Sequence, residues 1–174
     1  MMGNIIGRVE GERGFLERLA GKLPGFRGYL AKEKRRDADK LLRDGIVSRF
    51  DAQLRRLPEL QMQLVTSGRL EHVDDVERSV MKLQTFVDRV KTTPRGYAGF
   101  FDAVKVKEDD LERLYHWDEQ LLSEADKIVL AIDAVATAIG GTGDTGAAVR
   151  DLIAASMAVN ELYSQREHVL LESV

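Results

Sequence analysis

The sequence predicts an all-α protein, an antiparallel four-helix bundle with a short N-terminal helical arm. Three observations lead there. Apolar residues recur at alternating spacings of three and four along much of the chain, the pattern of helices that share a seam. Proline and glycine punctuate it at Pro24-Gly25, Gly68, Pro94 to Gly99 and Gly140 to Gly146, leaving one short and four long helical stretches. At 174 residues the chain fits one domain. A domain of that size buries roughly 70% of the surface its unfolded chain exposes, enough for a core without metal or disulfides.

Residues 1–24 read as the arm and residues 25–174 as the bundle. In the arm Val9, Phe15, Leu16 and Leu19 fall on one side, but Gly11 and Gly14 make it a weak autonomous helix. It needs a surface to dock on. The bundle's flank ranks first, a second copy of the chain next and a membrane interface last, because Glu10, Glu12 and Glu17 oppose an anionic lipid surface.

The first long helix begins near Tyr29 and aligns Ala38, Leu42, Ile46, Phe50, Leu54, Leu57, Leu60 and Leu64. Pro58 lies inside it. Since the apolar phase runs through the proline, one long helix kinked there is expected in preference to two separate ones. Arg27, Lys32, Lys34, Arg35 and Arg36 crowd its start, where the helix dipole disfavours positive charge, so the cluster should have a use or a partner. Pairing with the acidic part of the same chain comes first; binding a phosphate-bearing or acidic partner comes second.

The second long helix is the most legible, with Val73, Val76, Val80, Leu83, Val87 and Val90 at spacings of 3, 4, 3, 4 and 3. The third, from about Glu108 to Ile139, runs through Leu111, Leu114, Asp118, Leu121, Ala125, Ile128, Ile132, Val135 and Ile139. The fourth, after Gly146, places Val149, Leu152, Ser156, Val159 and Tyr163 on one face, with Ile153 and Met157 widening it.

Asp118 is the most informative residue in these helices. A carboxylate at a seam position costs stability unless it is paired or solvated, so it either specifies helix register or serves a site. It has no second acid, nucleophile or same-face histidine to complete a catalytic set, and an arginine partner or a capping role near the bundle end is expected. His116, with Glu112 and Glu119 nearby, reads as surface pairing. A ligand-binding or hydrolytic bundle centred on Asp118 and His116 is the alternative.

Between the second and third long helices, Tyr97, Phe100 and Phe101 lie within five residues of one another. Each aromatic, fully buried, contributes roughly 1.5 to 3 kcal/mol, so this loop should fold back over something apolar. A plug over the bundle end, with one phenylalanine buried, ranks ahead of a partner-binding patch.

Several function classes find no support. Gly141 to Gly146 matches G-x-G-x-x-G, but no strand precedes it, so it reads as a helix connection with Asp144 or Thr145 as N-cap. His72, His116 and His168 complete no Glu-x-x-His motif, and no metal or cofactor is expected. The absence of cysteine fits a reducing compartment, and no apolar run approaches the ~20 residues that span a bilayer, so a cytoplasmic protein is expected. The net charge of −3 conceals a gradient: residues 1–60 carry 14 basic and 9 acidic side chains, residues 121–174 carry 3 and 8. In an antiparallel bundle the two ends of the chain would pack side by side and neutralise one another. Glu33, Asp37, Asp39 and Asp44 interleave the basic residues, which makes nucleic-acid binding an unfavoured reading.

The segment Gly96 to Val106, with Leu114-Tyr115-His116-Trp117-Asp118, resembles small uncharacterised bacterial helical-bundle proteins. The resemblance covers about a third of the chain, and it implies a helical fold and a bacterial origin and no catalytic or ligand residue. The functional expectation is a non-catalytic protein–protein interaction or scaffold module, with a homodimer through the arm or the first long helix as one form.

Overall fold

The structure, a computed structural model, describes residues 35–92, 108–141 and 143–172. Its elements are α1 (Arg35–Leu54), α2 (Leu57–Thr66), a 3₁₀ turn (Leu70–His72), α3 (Val73–Thr92), α4 (Glu108–Gly140) and α5 (Thr145–Glu172). Among the described residues there is no strand. The expected arm, residues 1–24, lies outside them.

The single kinked helix expected across Pro58 is two helices. Proline has no N–H to give to the carbonyl of Leu54, and its ring crowds that carbonyl, so the hydrogen-bond ladder is interrupted. Arg55 N–H reaches Asp51 O (3.2 Å) and Arg56 N–H reaches Gln53 O (2.9 Å) as α1 ends; Leu60 N–H to Arg56 O (3.2 Å) then opens α2. Pro58 thus sits in the first turn of α2, where a missing N–H costs nothing. The apolar phase does carry through the break, and Leu42, Ile46, Phe50, Leu57, Leu60 and Leu64 are all buried.

Gly68 ends α2 by geometry that only glycine adopts cheaply. Its φ is +75°, the Gly68 N–H bonds to Val65 O (3.1 Å) and the Arg69 N–H to Leu64 O (2.9 Å). These are the paired bonds of a Schellman motif, which satisfy two of the carbonyls left over at a helix end. Arg69 then donates from Nη1 to Ile139 O (3.0 Å), capping the last turn of α4 with the chain that leaves α2. Asp144 caps the start of α5 by accepting the Ala147 N–H at 2.9 Å.

Pairwise contacts give the direction of every limb. Arg49 pairs with Asp126 and Arg56 with Asp133, both 77 residues apart, so α1 and the start of α2 run in the same sense as α4. Asn160 donates to Lys82 O and Arg89 to Glu167, both 78 residues apart, so α3 and α5 are also parallel. By contrast, Asp51–Lys91 is 40 residues apart and Gln61–Glu77 is 16 apart, a separation that shrinks toward the turn as in an antiparallel hairpin. Asp118 with Arg166, and Gly143 beside Ala138, describe a second such hairpin from α4 and α5. Two hairpins therefore stand side by side, like limb against like limb.

Among the described residues, the first and last helices are not each other's main neighbours, as side-by-side packing of the chain's two ends would have them. The main neighbours of α1 are α3 and α4, and those of α5 are also α3 and α4. The basic residues Arg49 and Arg56 consequently meet acids of α4, where Asp126 and Asp133 recur at the same seven-residue interval.

The core fills the space between the hairpins. In α3 it is rotated slightly from the valine seam, so that Ser79 and Phe86 are fully buried beside Val76, Leu83, Val87 and Val90, while Val73 and Val80 sit at its margin. In α4 Leu121, Ala125, Ile128, Ile132 and Val135 are buried as the spacing predicts, and Leu122 joins them. In α5 Val149, Leu152, Ser156, Val159 and Tyr163 are all buried. Met157 does not widen that face: it is 54% exposed, since it lies one residue, about 100° of helix, beyond Ser156 at the seam centre.

Candidate functional site

The most unusual chemistry in the described residues is a layer of buried charge where α3, α4 and α5 meet. Asp118, ten residues into α4, is 1% exposed, and Arg166, near the end of α5, is 2% exposed. They face each other because α4 and α5 are antiparallel and each carries its residue on the seam. Arg166 Nε donates to Asp118 Oδ1 at 2.6 Å and Nη2 donates to Oδ2 at 3.3 Å. Such a two-point contact uses the planar guanidinium fork and fixes both rotation and register.

Tyr163, one turn before Arg166, connects this pair to the rest of the core. Its ring lies with the Arg166 guanidinium 5.9 Å from the centroid and the Arg89 guanidinium 5.0 Å from it. The Phe86 ring meets it edge-on at 5.6 Å, and Phe50 meets Phe86 at 4.6 Å, so an aromatic run crosses from α1 through α3 to α5. Arg89 extends the layer outward, donating from Nη2 to Glu167 Oε2 (2.6 Å) and Ser164 Oγ (3.0 Å). Two guanidiniums, Arg166 and Arg89, thus flank one aromatic ring, and each is paired with a carboxylate, Asp118 and Glu167 respectively.

What this arrangement does chemically follows from its closure. Both Asp118 oxygens accept from the guanidinium, and both side chains are shut from water. The pair holds α4 against α5 in one register, because a one-residue slip would leave two buried charges apart. His116 stands elsewhere. Two residues along a helix turn it about 200° from Asp118, and it is exposed, with its Nε2 accepting from Gln120 Nε2 at 2.8 Å. The structure does not bring Asp118 and His116 together.

The remaining residues picked out in the sequence fall beyond this layer. Tyr97, Phe100 and Phe101, and Arg27, Lys32 and Lys34, lie outside the described residues; Arg35 and Arg36 belong to the first turn of α1, but their side chains are likewise outside. The Gly141–Gly146 segment joins two helices. A Cβ at Gly143 would come within 3.3 Å of Ala138 Cα and Cβ, so glycine there permits close packing on the end of α4.

Arg166 and Arg89 went unrecognised in the sequence, yet a signal for Arg166 was present. It lies three residues beyond Tyr163 and continues the α5 seam by one step. Among the described residues no group of three or more His, Cys, Asp or Glu side chains could hold a metal ion, and no helix is long and apolar enough to cross a membrane. No protein family, curated protein or solved structure matches the chain.

Proposed function

We propose that this chain is a non-catalytic scaffold or protein–protein interaction module that works in the cytoplasm through a protein partner. The observation that carries the reading is the closed Asp118–Arg166 pair: the one carboxylate in the α4 seam is spent on holding two helices in register. Ion pairs on both flanks, Arg49–Asp126 and Arg89–Glu167, tie the two hairpins together and further support a rigid frame. In this reading the partner-binding elements are the basic stretch Arg27, Lys32, Lys34, Arg35 and Arg36 and, within the aromatic connection of Tyr97, Phe100 and Phe101, the side chains not spent on plugging the bundle end. A homodimer through residues 1–24 or the first helical limb is one form the assembly takes.

Affinity purification from the native host, repeated with Tyr97→Ala and with Lys32→Glu/Lys34→Glu, tests the reading. A specific co-purifying protein lost in a variant of unchanged thermal stability is the expected result. No partner for the intact chain in any growth condition, together with a single monomeric species by light scattering at high concentration, would overturn it. Salt-sensitive retention on heparin at physiological ionic strength would replace it with binding of an acidic polymer through the basic stretch.

A further inference from the structure

We draw no further inference here: the strongest candidate, the His72, Asp144 and Arg150 side chains gathered over Gly146 at the first turn of α5, is a helix N-terminus that the Asp144 carboxylate already caps, and no second observation points to a ligand there.

Discussion

Replacing Arg166 with methionine keeps most of the side chain's length and removes its charge, which leaves Asp118 as a carboxylate enclosed between α4 and α5. The cost follows from the burial. With Asp118 1% and Arg166 2% exposed, water does not take the place of the two contacts at 2.6 and 3.3 Å. Breaking a buried pair by removing one partner costs about 3 to 5 kcal/mol, and for a domain of this size each kcal/mol lowers Tm by roughly 2 to 4 °C. Arg166→Met should therefore unfold on the order of 10 °C below the parent protein. The double variant Asp118→Leu/Arg166→Met should recover most of the loss, because an apolar pair of similar volume carries no desolvation penalty. Urea denaturation of the parent, Arg166→Met, Asp118→Leu and the double variant closes the double-mutant cycle and yields the coupling energy. A loss under about 1 kcal/mol for Arg166→Met, or additive losses in the double variant, would refute a closed and coupled pair.

Phe86→Ala should cost about 3 to 5 kcal/mol, because its ring bridges Phe50 and Tyr163 at the centre of the aromatic run; chemical denaturation checks this. Ser79→Ala should leave stability unchanged or raise it by up to about 1 kcal/mol, since the serine hydroxyl is buried and has no hydrogen-bond partner among the described residues. A loss beyond about 0.5 kcal/mol in the same assay would mean the hydroxyl is satisfied in solution. Gly68→Ala should destabilise by about 1 to 2 kcal/mol because alanine resists the positive φ that closes α2, although a Cβ there meets no neighbouring atom. Asp144→Ala should lose about 1 kcal/mol of N-cap stabilisation, with amide exchange accelerating first in the opening turn of α5.

Local information in the chain was sufficient for the helical class and for the seams of α4 and α5. The spacing of Val149, Leu152, Ser156, Val159 and Tyr163 placed each of them in the core, and the α4 seam was equally legible from Asp118 to Val135. Those positions are fixed by a periodicity that any helix with one buried face must show. The need of Asp118 for a partner was also readable, since a seam carboxylate has few ways to be satisfied. Its identity was not. Arg166 is 48 residues away, and a charged residue at the end of an apolar seam looks like the point where the seam stops.

Tertiary structure alone decided how the limbs meet. Heptad patterns specify which face is buried but not which helix covers it, so they could not distinguish a bundle with the chain's ends in contact from two hairpins lying side by side. The side-chain chemistry at the margins carries that information: Arg49 and Arg56 match Asp126 and Asp133 at one interval, and Asn160 reaches the Lys82 carbonyl. The break before Pro58 likewise required the backbone, because an apolar phase can persist across an interrupted hydrogen-bond ladder. The sequence by itself therefore determined the helical class and the main buried seams of α4 and α5, which depend on residues three and four apart. The parallel neighbours and the partner of Asp118 depend on contacts 48 to 78 residues apart, and only the folded chain brings those together.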